Sequence, residues 1–190
     1  MRSLCLNSRL TQRSQRSMLE IKIFSGPIDE LLVKRIVDFD RQCMETTLDR
    51  AGIPFPEVNR RKSFQSNPTL IVAFAGDEIA GYIEYLLSWN DPRYIYISSL
   101  QIQKSFRGST LLLVLIDRFR ESLKDEDFLG FETNVQKVNT PAVKMYRKAG
   151  FHLTENPRND ASWIATAGPE LLTQSPIIPI IEKWRSRSKR

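Results

Sequence analysis

"YIYISSLQIQKSFRGSTLLLVLIDRF", residues 94–119, decides the fold. From Tyr94 to Ile102 apolar and polar residues alternate, the period of a strand with two unlike faces. Arg107 and Gly108 then break the pattern. From Ser109 to Leu123 the period changes, with Leu112, Ile116, Phe119 and Leu123 on one helical face and Leu111 and Leu115 beside them. A short strand, "LGFETNV" at 129–135, follows. A strand, a crossover helix and a second strand in one sheet run parallel with a right-handed connection.

Working outward, "LEIKIF" at 19–24 alternates as a strand. From Ile28 to about Arg50, Ile28, Leu32, Ile36, Phe39 and Cys43 recur at helical spacing. Residues 51–68 carry three prolines and read as loop with one short helix. "TLIVAFAG" at 69–76 and "IAGYIEYLLSW" at 79–89 form a hairpin, and the strand at 94–102 extends it to a meander. Residues 139–150 predict a second short helix. Asn139 is its N-cap, Pro141 sits in its first turn, Ala142, Val143, Tyr146 and Ala149 form its buried stripe, and Gly150 ends it. "FHLTE" and "SWIATAG" are the closing strands, and the tail from Pro169 lies across the surface. The fold class is α+β with a mixed sheet in a single domain. Its boundaries are a basic segment at 1–18 expected to be disordered, a domain at 19–168, and a C-terminal extension at 169–190 with a basic end.

The chain has 190 residues and a formal charge of +6, with 41% hydrophobic residues, enough for one core. Four arginines before residue 19 and five basic residues in "KWRSRSKR" exceed that net charge, so the body between them is slightly acidic. Solubilising tails explain this better than a nucleic-acid partner. Cys5 and Cys43 are far apart and His152 stands alone, so neither a disulfide framework nor a metal site is expected. No apolar run reaches the roughly 18 residues of a membrane span. A cytoplasmic location is expected, although the Arg- and Ser-rich first segment also suits an organelle transit peptide or a bacterial export segment.

Two segments carry candidate chemistry. A helix start offers unpaired N–H groups and a partial positive charge, which suits phosphate, and Arg107 with Gly108 lets backbone approach it. An ordinary helix start is the competing reading. In "NTPAVKMYRKAGF", Asn139 and Tyr146 are seven positions apart, so turns of about 100° per residue return them to nearly one face. A phenol there can donate a proton to a departing thiolate, or can simply pack in the core.

"LQIQKSFRGSTLLLVLIDRF" followed by "NVQKVNTPAVKMYRKAGF" resembles the GNAT superfamily of acyl-CoA-dependent N-acetyltransferases. The likeness spans about residues 19–167 and is strongest over 94–151. The family's Arg/Gln-x-x-Gly-x-Gly/Ala turn falls on Arg107, Gly108, Ser109, Thr110, Leu111 and Leu112, with Thr110 and Leu112 departing from its small residues. The family's Asn-x-x-Ala-x-x-x-Tyr-x-x-x-Gly-Phe pattern matches at Asn139, Ala142, Tyr146, Gly150 and Phe151.

The resemblance implies a mostly antiparallel central sheet flanked by helices on both faces. It implies acetyl-CoA as co-substrate, no metal, and transfer of the acetyl group to a primary amine of a small molecule or protein. Leu100, Gln101 and Ile102 would meet the pantetheine arm, residues 107–112 the pyrophosphate, and Asn139 the pantetheine from the other side. Tyr146 would protonate the leaving thiolate. Glu84 would keep the amine deprotonated, against the plainer reading of a solvated strand residue, with Glu132 a weaker candidate. Phe55, Glu57 and Trp89 would flank the acceptor. His152 reads as structural. The departures at Thr110 and Leu112 leave a second reading: a non-catalytic acyl-CoA-binding or protein-interaction member of the fold. A third is nucleic-acid attachment through the tails. An oligomer is compatible with all three.

Overall fold

The computed structural model describes residues 19–188. The segment 1–18, with Cys5, and the terminal Lys189 and Arg190 lie outside the described residues. The chain runs β1 (Leu19–Phe24), α1 (Glu30–Ala51), α2 (Glu57–Ser63), β2 (Thr69–Ala75), β3 (Glu78–Leu87), β4 (Tyr94–Ile102), α3 (Leu111–Ser122), β5 (Gly130–Gln136), α4 (Thr140–Ala149), β6 (His152–Glu155), β7 (Ser162–Ala167), α5 (Leu171–Gln174) and α6 (Ile178–Ser188). Local chemistry sets these limits. Asp29 caps α1 by accepting from the Leu31 N–H, and Asn139 caps α4 by accepting from the Ala142 N–H. Gly52 and Gly150 end the two helices in the left-handed region.

One seven-stranded sheet is ordered β1-β2-β3-β4-β5-β7-β6, antiparallel throughout except β4 beside β5. That parallel pairing is short, from Tyr94↔Gly130 to Tyr96↔Glu132, after which the strands part. The cause lies in β4. Tyr85 of β3 faces Ile97, but Glu84 faces Ser99, so Ser98 is a surplus residue in a β-bulge.

The sheet buries both faces. Alternation sends Leu70, Val72, Phe74 and Tyr82 to one side, against Leu32, Val33, Ile36, Val37 and Phe39 of α1. Ile71, Ala73, Ile83, Ile97 and Phe131 face the other way, against Leu111, Leu115 and Phe119 of α3 and Val143 and Tyr146 of α4. Helices therefore flank both faces. In α3 the deepest stripe is Leu111, Leu115, Phe119 and Leu123, while Leu112 and Ile116 are half-buried, a rotation from the expected face.

The tail beyond Pro169 does not simply lie across the surface. It folds into α5 and α6 and buries Ile178 and Ile181. The Arg120 Nε donates to the Leu172 carbonyl at 2.6 Å, the Ser175 hydroxyl to the Ala149 carbonyl at 2.6 Å, and the Arg185 Nε to Asp117 at 2.8 Å. Part of the basic end is thus paired with α3.

Candidate active site

Where β4 and β5 part, a cleft of about 1040 Å³ opens. Its walls include Gln42, Cys43 and Thr46 of α1, Leu100 and Gln101 of β4, Lys104 and Arg107 of the following turn, Asn134 and Gln136 of β5, and Asn139, Met145 and Tyr146 around α4. Five expected residues, Leu100, Gln101, Arg107, Asn139 and Tyr146, meet there.

Strand register determines which backbone groups face the opening. The Gln103 N–H donates to the Ala80 carbonyl, so Gly81 and Ile102 are a non-hydrogen-bonded antiparallel pair. Alternation then turns the N–H and C=O of Leu100 and Ile102 toward the cleft, while Gln101 is bonded to Tyr82. The Ile102 carbonyl accepts from the Arg107 Nε at 3.2 Å and from the Cys43 thiol at 3.8 Å. Burial, only partly offset by Arg107, pushes the Cys43 thiol up to about 11.

The turn before α3 has one position that requires glycine. Gly108 has φ of +80° and open space around it. Thr110, by contrast, has helical backbone, φ −74° and ψ −2°, and its side chain is exposed. A threonine there brings no backbone strain. The Ser109 hydroxyl accepts from the Leu111 N–H at 3.2 Å, leaving other first-turn amides without intrahelical acceptors. Leu111 is fully buried against Gly81, where an added Cβ would stand 3.3 Å from the leucine and 2.8 Å from the Gln101 carbonyl. Gly81 thus sets how closely the start of α3 approaches the sheet. Leu112 is half-buried beside it.

Tyr146 is 9% exposed, edge-on to Phe151 at 5.0 Å between ring centres, and it reaches the cleft wall. Burial raises its pKa against a smaller opposing pull from the Thr133 hydroxyl, so the phenol holds its proton at neutral pH.

Glu84 is not a solvated strand residue. It is 1% exposed, accepting from Arg60 at 2.5 and 3.0 Å and from the Ser98 hydroxyl at 2.5 Å. Arg60 also donates to Asp40 at 2.5 Å and to the Tyr82 oxygen at 2.9 Å, and Tyr82 donates to Asp40 at 2.5 Å. Burial raises both Asp40 and Tyr82. This network joins α1, α2, β3 and the bulge of β4, and it holds two carboxylates to one guanidinium. Its bonded partners are 14 to 42 residues apart, so no local pattern in the sequence could reveal it.

The three residues expected at the acceptor are not gathered in one place. Phe55 packs under the Arg41 guanidinium, 5.6 Å from ring centre to charge, and Glu57 pairs with Arg41 and Arg61. Trp89 is exposed in a separate groove with Leu87 and Ile95, its ring 5.3 Å from that of Tyr96. The Tyr96 hydroxyl accepts from Asn134, a cleft residue, at 3.1 Å. Glu132 accepts from Ser88 at 2.9 Å and Asn90 at 3.2 Å. His152 is exposed at the start of β6. Sequence reasoning missed Gln42, Thr46 and Asn134 on the cleft wall. The signal for Asn134 was its outward place in the alternation of β5.

Among the described residues no helix is long and apolar enough to cross a membrane, and no group of three metal-ligating side chains occurs.

Comparison with known proteins adds to this geometry. The family model described as the acetyltransferase (GNAT) family matches residues 34–151, from the first turns of α1 to just past the end of α4. A streptothricin acetyltransferase of Escherichia coli is 31% identical over 81 residues, 43% of this chain and 45% of that protein, so the match spans less than half of that relative. The solved structure of an acetyltransferase from Thermus thermophilus aligns with a TM-score of 0.60 at 16% identity, covering 77% of this chain and 96% of that one. PaiA N-acetyltransferase from Thermoplasma acidophilum, in complex with coenzyme A, aligns with a TM-score of 0.59 at 16% identity, covering 78% and 99%.

Proposed function

Because this chain belongs to the acetyltransferase (GNAT) family, we propose that it transfers an acetyl group from acetyl-CoA to a primary amine of a small molecule or protein. The observation that carries this reading is the shared cleft. It brings outward-facing β4 backbone, the Arg107 turn, the Asn139 cap and a protonated Tyr146 to one space. The coenzyme A bound by the Thermoplasma protein supports the same ligand here.

The cleft fits that co-substrate. Leu100 presents its N–H and C=O, and Ile102 its N–H, as a strand edge does, so an extended amide-bearing arm can pair with them. Arg107 and the first-turn amides of α3 supply donors for a pyrophosphate, and the left-handed Gly108 lets backbone come close. Asn139 closes the other wall. The thioester supplies an activated acyl carbon and a thiolate leaving group. Tyr146 holds the proton that this thiolate needs. On the amine side, Glu84 is bonded to Ser98 of the bulge and shares the cation of Arg60 with Asp40, behind the cleft wall, so it would act on the amine through water.

The test is release of free coenzyme A from acetyl-CoA in the presence of an amine panel, for wild type and Tyr146→Phe. Turnover is expected in the wild type, with kcat down roughly 10²-fold or more in the variant and KM for acetyl-CoA little changed. Tight coenzyme A binding without turnover on any amine would instead favour the non-catalytic reading.

A further inference from the structure

Below the cleft, a second cavity of about 60 Å³ lies between the sheet, α3, α4 and the C-terminal helices. Its lining is almost wholly apolar, including Ile83, Ile97, Ile116 and Phe119. Of the polar groups on its wall, Arg120 bonds the Leu172 carbonyl and Ser175 the Ala149 carbonyl, which leaves the Tyr146 phenol at the edge next to the cleft. An almost wholly apolar cavity disfavours water and suits a hydrocarbon group.

Leu100, Met145 and Tyr146 line this cavity and the cleft alike. One is a β4 residue whose backbone faces the co-substrate, and another is the phenol assigned to the leaving sulfur. The acyl carbon of a bound thioester is bonded to that sulfur. A chain growing from the acyl carbon therefore starts at the wall the two spaces share.

We propose that the cavity is an acyl-chain pocket and that the protein accepts short-chain acyl-CoA, propionyl to butyryl, as well as acetyl-CoA. This rests on the acyltransfer reading above. At about 30 Å³ per water-sized group, the space takes at least the two extra carbons of butyryl. Each buried methylene is worth about a fourfold gain in affinity. The transfer is unchanged in its balance: the amine nitrogen–carbon bond forms as the carbon–sulfur bond breaks, the amine releases one proton to water, and the thiolate gains one from Tyr146, which water then reprotonates. The far end of the pocket is built by Leu171, Leu172 and Ile178 of the C-terminal helices, which gives those helices a place in substrate choice.

The experiment compares kcat/KM for acetyl-, propionyl-, butyryl- and hexanoyl-CoA on one amine in three proteins: wild type, Ala149→Leu, which fills the pocket, and Leu172→Ala, which enlarges its far end. Wild type is expected to use butyryl-CoA within about fivefold of acetyl-CoA. The butyryl-to-acetyl ratio is expected to fall at least about tenfold in Ala149→Leu. The hexanoyl-to-butyryl ratio is expected to rise in Leu172→Ala, which still decides the matter if Ala149→Leu fails to fold. Ratios unaffected by either change, or a wild type restricted to acetyl, would overturn the pocket. If no acyl-CoA is turned over, the catalytic reading fails separately. Thermal stabilisation by butyryl-CoA against acetyl-CoA then decides the pocket, since equal shifts exclude it.

Discussion

Arg60 is 14% exposed in its side chain and stands between Asp40 and Glu84, both almost fully buried. Burial alone would pull its guanidinium down, and the surrounding Tyr82, Glu84 and Asp40 more than offset that. Removing it leaves two buried carboxylates without a cation. Arg60→Ala is expected to lose about 3–5 kcal/mol at pH 7 in urea unfolding. The pH dependence has a definite sign. Burial already raises Asp40 against the pull of Arg60, and without that pull it rises further. A carboxyl raised above its unfolded value loses stability as pH climbs through that value, so the deficit of the variant shrinks toward pH 4. A deficit that stayed constant between pH 4 and 8 would contradict the network. Cys43 makes a second prediction. With its thiol near 11, alkylation by iodoacetamide at pH 8 should run roughly 100-fold slower than for a free cysteine, and should accelerate up to about pH 11. Peptide-level mass spectrometry separates Cys43 from Cys5, and ordinary reactivity at pH 8 would count against its burial.

The element whose details matter most is the turn into α3. Gly108 meets no neighbour, so Gly108→Ala tests backbone alone: about 1–2 kcal/mol is expected for a side chain at φ +80°, together with weaker acetyl-CoA binding. Thr110→Gly should behave differently. Its backbone is already helical, so the unliganded protein should melt slightly lower, while the thermal shift on adding acetyl-CoA should grow as the side chain leaves the turn. A smaller shift would mean that the threonine hydroxyl contributes to binding. Much of this level was legible in the sequence. The strands at 69–75, 94–102 and 130–136 and the helices α1, α3 and α4 follow from a period change, a cap or a terminal glycine. Where α5 and α6 form, the sequence reads Pro176, Ile177, Ile178, Pro179 and Ile180, a broken apolar run with no clear period, and the helices are stabilised by contacts with α3 and α4. The bulge was invisible for a different reason: Ser98 and Ser99 sit in an alternating run as regular strand residues do, and only pairing with Glu84 and Tyr85 exposes the surplus.

For the molecule as a whole, the C-terminal helices close one core. Ending the chain at Gly168 would expose Ile83, Phe119 and Phe151 and remove the buried Ile178 and Ile181. Those two side chains alone account for about 3–6 kcal/mol, so chemical denaturation of the shortened chain should show at least that loss, and an unchanged midpoint would refute the packing. The pattern of site legibility follows the same division. Tyr146 and Asn139 could be read directly because both lie on one short helix, whereas Arg60 and the wall of α1 depend on how distant segments meet. The wedge beside β4 has a cost of its own. Faces on either side of Ser98 already agree, Ile97 with Tyr85 and Ser99 with Glu84, so removing that serine keeps the register and gives up its hydrogen bond to Glu84. Deleting it should let the two halves of the sheet zip together, with amide exchange at Leu100 and Ile102 slowing as they find partners. The result would be a closed sheet and an inert protein: a single extra residue keeps the molecule ajar.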